Sequence, residues 1–224
     1  MVRKVLSVQL NDRKDVFTWL LNKGIFPASS MYKDLMKETN SYGHGVVWKL
    51  KLPLKIKVFL WYLRRGVILT KDNLGKRNWK GCTRCCFCSS EESIQHLFFE
   101  CQVAKLMWNT LFFAFGIYPP SCVDDLFGSW RRSFPPKFQK AILIGASAFC
   151  WAIWISRNDA IFKNSITNSP LQVIFRGTFW IRCWSILSKE EERTILKESS
   201  QQLEITVMEI FNDYVWKFRN RIEG

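Results

Sequence analysis

Histidine occurs only twice in these 224 residues, at His44 and His96, and 19 acidic side chains face 33 Lys and Arg. Histidine is the side chain most often used as a general acid or base, so the inventory for proton-transfer catalysis is thin. No Gly-rich phosphate loop and no G-x-S-x-G elbow is present, which removes the commonest nucleotide-binding and serine-hydrolase signatures. No internal repeat or low-complexity tract occurs. Met1-Val2-Arg3-Lys4-Val5 leads into no apolar run of signal-peptide length, so the expectation is an intracellular protein, nuclear or cytoplasmic, not secreted. One apolar run, Ala141 to Ser156, is about 16 residues, short of the roughly 20 needed to span a bilayer, and reads as a core helix.

What is abundant is positive charge and aromatic surface. The formal net charge is +14, and the chain holds 11 Trp and 18 Phe. Residues 1–110 carry 19 basic and 8 acidic side chains, and residues 48–80 carry ten basic side chains against Asp72 alone. Such asymmetry fits a polyanionic partner, nucleic acid before an anionic membrane, although charge bears on solubility before it bears on binding. Lys55, Lys57, Arg64, Arg65, Lys71, Lys76, Arg77 and Lys80 are the candidate phosphate contacts, with Trp48 or Trp79 as candidate base-stacking rings. Phe59, Trp61 and Tyr62 fall in a strongly apolar helix and read as core.

The fold class expected is mostly α, with a small N-terminal β-hairpin over Asp15 to Phe26 about the Asn22-Lys23-Gly24 turn. Ser29 or Ser30 would then cap a short helix. Pro53 and Gly66 bracket a helix whose Ile56, Phe59, Leu60 and Leu63 recur at i, i+3, i+4, i+7. Thr70 would cap a second, and Val103 to Ala114 forms a third that stops at Gly116. Tyr118-Pro119-Pro120-Ser121 divides the chain into 1–118 and a helical region 119–224, a long-helix hairpin or bundle. Its helices are expected from Pro136 to Phe162, from Ser169-Pro170 to Leu187, and from a capping box at Ser188/Glu191, with a break near Ser199-Ser200, to Arg221.

The best-spaced chemistry lies at Cys85, Cys88, His96 and Cys101, C-x2-C-x7-H-x4-C. A C-x-x-C turn aims two sulfurs at one ion, and a His/Cys pair on a helical turn can complete a tetrahedron about Zn2+. Four protein ligands leave no open coordination position, so the metal is expected to stabilise, not catalyse. Cys82-x-x-Cys85 is a competing first pair, and Cys86 is a further thiol inside the loop. Three thiolates and one neutral imidazole leave about one negative charge, which Arg84 and the preceding basic stretch can offset. Asp124-Asp125 looks superficially like a polymerase carboxylate pair, but no further carboxylate accompanies it, and Glu190-Glu191-Glu192 reads as a solvated helix start.

Trp48-Lys49-Leu50-Lys51-Leu52-Pro53-Leu54-Lys55-Ile56-Lys57-Val58-Phe59-Leu60-Trp61, Leu69 to Leu74, the Cys85/Cys88 pair and His96-Leu97-Phe98-Phe99-Glu100-Cys101 together resemble the reverse-transcriptase zinc-binding domain of plant LINE-type retroelements. Asp15 to Trp19 with Gly24-Ile25-Phe26 resemble its lead-in, and Cys150 to Trp154 with Arg157-Asn158-Asp159 resemble its helical tail. The resemblance supports the 85/88 register. It implies an accessory module that lies after a polymerase and helps hold nucleic acid. No polymerase domain accompanies it, so a non-enzymatic zinc-binding module with no small-molecule substrate is expected. The rival is a protein–protein module, or an unselected relic, using Trp180, Trp184 and Trp216 as an apolar face.

Overall fold

Ten helical elements account for most of the computed structural model, which describes residues 45–163 and 169–222, with side chains through Asn212. The expected N-terminal hairpin, the helix after Ser29 and the Trp216 side chain lie outside the described residues. Helix α1 spans Gly45–Lys49, α2 Leu54–Arg64 and α3 Lys71–Gly75. A single π turn, His96–Glu100, leads into α4, Gln102–Phe115. Two short helices follow, α5 Val123–Phe127 and α6 Ser129–Arg132. Three long ones finish the chain: α7 Gln139–Phe162, α8 Pro170–Ser185 and α9 Glu190–Ile222. The fold is mostly helical. Among the described residues the one β-type pairing is an isolated antiparallel bridge, Arg84 to Glu91.

Helix α2 forms where the apolar spacing places it. Ile56, Phe59, Leu60 and Leu63 are its buried residues, and Pro53 (φ −55°) precedes it as N-cap, where the missing N–H costs nothing. Gly66, at φ +68°, reverses the chain while its N–H reaches the Leu63 carbonyl and that of Val67 the Tyr62 carbonyl. That left-handed conformation favours glycine because no Cβ meets the carbonyl. Gly116 ends α4 in the same way, at φ +67°.

Helix α7 is the central post. Its buried residues include Leu143, Ile144, Ala148, Phe149, Cys150, Ala152, Ile153 and Arg157, so it is covered on most sides. By length and composition it could cross a membrane (mean hydropathy 1.3), but 67% of its most apolar stretch is buried within the protein, which fits a core helix. Helices α7 and α8 approach closely at Gly177. A Cβ there would stand 2.8 Å from Phe149 Cδ1. Helix α8 starts as expected, with Ser169 Oγ accepting the Leu171 N–H.

Helix α9 departs from expectation. It runs unbroken through Ser199-Ser200, because Ser200 is buried and its hydroxyl bonds back to the Lys197 carbonyl 2.7 Å away. A serine that satisfies itself on its own helix need not interrupt it. The capping box is absent too, since Ser188 Oγ is buried without a hydrogen-bond partner.

One ion pair joins distant parts of this core. Arg157 on α7 meets Glu92, 65 residues earlier, at 2.7 Å, with side chains 3% and 0% exposed. Arg157 Nε also donates to both Glu92 oxygens, at 3.2 and 3.3 Å, and Arg157 Nη1 to Asn158 at 3.0 Å. The guanidinium lies 5.0 Å from the Trp154 ring centroid. Glu92 in turn accepts the Lys71 backbone N–H at 2.9 Å, capping α3 from outside that helix.

Removing one member strands a charge in the interior. Arg157→Leu is expected to lose about 3–5 kcal/mol of stability. The double variant Glu92→Met/Arg157→Leu should recover a large part of that loss. Urea unfolding midpoints of the purified variants check both.

Candidate metal centre

The segment Thr83 to Glu92 closes on itself through two backbone bonds, Cys85 N–H to Ser90 O at 2.8 Å and Glu92 N–H to Thr83 O at 2.9 Å. This tight loop holds Cys85 and Cys88 side by side, and the Phe87 N–H points at Cys85 Sγ (3.4 Å). A backbone donor on sulfur favours the thiolate, the form that ligates metals.

The other two donors come from the π turn. The Cys101 N–H bonds the His96 carbonyl at 2.7 Å, an i→i+5 closure. In α geometry a residue five positions on stands about 140° around the axis from its partner. The wider turn returns it toward the same side, and such single turns are frequent at functional sites. The His96 N–H is held by Ser93 Oγ at 3.0 Å.

The donor atoms of Cys85, Cys88, His96 and Cys101 lie within 4.8 Å of one another. Cys85 Sγ and Cys101 Sγ are 3.9 Å apart, and Cys88 Sγ and His96 Nε2 3.1 Å. Bonds of about 2.3 Å to a tetrahedral ion put sulfurs about 3.8 Å apart, so the sulfur pair fits such a centre closely. Cys85, His96 and Cys101 are buried and Cys88 is half-buried. Within the cluster the contact with Cys101 holds the Cys85 thiol well below its ordinary range and pushes Cys101 above its own. One thiolate is thus already favoured. The cluster is compatible with a metal ion.

Of the competing thiols, Cys82 is exposed and belongs to neither donor group found among the described residues. Cys86 does lie within reach of Cys85 and Glu92. Glu92, however, is committed to Arg157 and the start of α3. Asp125 is engaged locally as well, accepting from Ser121, Ser129 and the Trp130 N–H. Those bonds hold its carboxyl below the usual range although burial opposes them.

The eight candidate phosphate contacts do not share one situation. Lys55, Arg65, Lys76, Arg77 and Lys80 are exposed. Lys57 is half-buried with Nζ on the Trp48 carbonyl at 3.1 Å. Arg64 packs over Phe127, and burial lowers its pKa, with Asp124 opposing. Lys71 is buried and its ammonium donates to the Arg84 carbonyl, so it is not placed on a solvent-facing stripe. Its charge stands one residue from Cys85, and Lys71 belongs to the basic stretch that the sequence, together with Arg84, offers as compensation.

The aromatic assignments change more. Phe59 is core, but Tyr62 is 44% exposed and Trp61 half-buried. Trp79 is exposed with its ring against Gly81, where a Cβ would overlap it. Of the proposed apolar face, Trp184 is buried in the core instead. The Glu92–Arg157 pair has no local signal in the sequence, since nothing nearby distinguishes Glu92 from Glu91.

Cys88→Ser and His96→Ser are each expected to remove bound metal and to lower the thermal midpoint by about 10 °C or more, whereas Cys82→Ser leaves both unchanged. Ligation displaces protons from thiols, so affinity should also weaken steadily from about pH 7 to about pH 5. Metal content by atomic emission and thermal unfolding with and without chelator check these outcomes.

Comparison with known proteins bears on one part of the chain. No curated protein and no solved structure matches it. Residues 26–108, which include all four clustered donors, match the family model described as zinc-binding in reverse transcriptase.

Proposed function

We propose that this chain is a non-catalytic, zinc-stabilised helical module of retroelement origin that binds nucleic acid through a basic surface. The observation that carries the reading is the convergence of Cys85, Cys88, His96 and Cys101 within 4.8 Å, inside the segment that resembles reverse-transcriptase zinc-binding regions. Three sulfurs and one imidazole nitrogen suit Zn2+ better than the oxygen-preferring Mg2+ or Ca2+. Bound there, the ion would supply cross-linking of the loop to the π turn, with no open position for substrate.

Exposed Lys55, Arg65, Lys76, Arg77 and Lys80 support the nucleic-acid part of the proposal. Between Glu38 and Asp72 the sequence has no carboxylate, so α2 carries none to neutralise its cations. The non-catalytic part is supported by Asp125, whose two oxygens are occupied by hydroxyl and backbone donors. A plant LINE ancestor is the source this reading favours.

The full chain is expected to bind a mixed-sequence 20-mer with an affinity that falls steeply between about 50 and 200 mM salt. Neutralising Lys55 and Arg65 together should weaken binding and reduce the salt slope by about two. Lys71→Gln should instead lower stability. Fluorescence anisotropy over a salt series reads this, and an affinity indifferent to salt removes the nucleic-acid reading. Stoichiometric zinc in the purified protein is expected, and a folded, metal-free protein would overturn the zinc reading.

A further inference from the structure

Helix α2 presents a mixed strip that starts beside its buried face and turns outward. Lys55, Tyr62 and the C-cap Arg65 fall at i, i+7 and i+10, within about 80° of one another around the axis. All three are exposed, Tyr62 at 44%. Beside Tyr62 stands the half-buried Trp61, ring centroids 5.1 Å apart and planes inclined at 56°. The Arg65 guanidinium covers one side of the Trp61 ring at 4.9 Å from its centroid. A phenol ring, an indole and a guanidinium are thereby grouped at one end of the helix. Lys55, two turns earlier, is exposed and carries its ammonium beside the Trp151 ring, 5.4 Å from the centroid.

Single exposed aromatics are ordinary on protein surfaces. This group differs in its charge setting: α2 itself carries no carboxylate, the next one in sequence, Asp72, is paired with Lys76 at 3.8 Å, and Asp124 acts on Arg64. Cations on a helix that carries no carboxylate of its own suit phosphates, and a half-exposed ring among them suits the π-face of a base. Duplexes hide those faces within the stack, whereas single strands can lay an unpaired base on a protein ring.

We propose that Tyr62, supported by Trp61 and flanked by Arg65 and Lys55, is a base-stacking platform and that the preferred ligand is a single-stranded polynucleotide. This rests on the nucleic-acid reading above and adds the strandedness and the residue that reads it. The Arg65 and Lys55 charges meet the backbone on either side of the stacked base. Sequence preference is weak, since every base has a π-face.

The test uses the full chain with labelled oligo(U) and oligo(dT) 15-mers and a duplex of equal length, at one fixed salt concentration. The single strands are expected to bind about tenfold or more tighter than the duplex. Tyr62→Leu should erase that margin while leaving duplex affinity, metal content and thermal midpoint unchanged, and Tyr62→Phe should retain it. Salt-dependent binding with equal affinity for both forms, or a margin insensitive to Tyr62→Leu, overturns the platform and leaves the wider reading intact. No salt-dependent binding to any of the three overturns both.

Discussion

The contact between Glu92 and Arg157 is the constraint on which the rest of the structure leans. Burying both charges costs several kcal/mol per ion, offset only where geometry and extra hydrogen bonds are good. Here the guanidinium spreads its donors over both carboxylate oxygens and Asn158, and packs on Trp154. The carboxylate also caps α3. One pair thus fixes three separate pieces, the cysteine loop, α3 and the central helix α7. Apolar packing alone could hold those pieces near one another in several arrangements, and any that separates the two residues leaves a buried charge unpaired.

The metal-ligand cluster is built from two local devices that meet. A short loop orients two sulfurs through backbone bonds, and a π turn rotates His96 and Cys101 toward a common side. Neither device places its donors against the other. Leu97 and Phe98, both fully buried, anchor the π turn in the core, Phe98 beside Phe59. Lys71 then supplies positive charge at the loop backbone.

Much of this was legible in the sequence because it is local. The cysteine and histidine spacing, the inward face of α2, and the glycines at 66 and 116 each follow from residues a few positions apart. What was illegible was set by distance or by context. Arg157 stands out in the sequence only as part of the resemblance at 150–159, and its partner lies 65 positions away. The apolar neighbours of Tyr62 point to the core, but the buried stripe of α2 is complete without it. Ser200 looked like a break, and a helix packed on its neighbours absorbs such a residue at little cost. Lys71 counted as surface charge because composition cannot tell an ammonium facing water from one bound to a carbonyl.

The clamp also sets an order of events during folding. Cys85 and Cys101 are 16 positions apart, so bringing them together closes a short stretch of chain. The link from Glu92 to Arg157 closes a much longer one, at a larger entropic cost that grows with the logarithm of loop length. The cysteine loop can therefore be sampled early as a local nucleus, while Glu92 stays hydrated until α7 has formed and docks. On a ribosome, that carboxylate leaves the exit tunnel long before its guanidinium partner does.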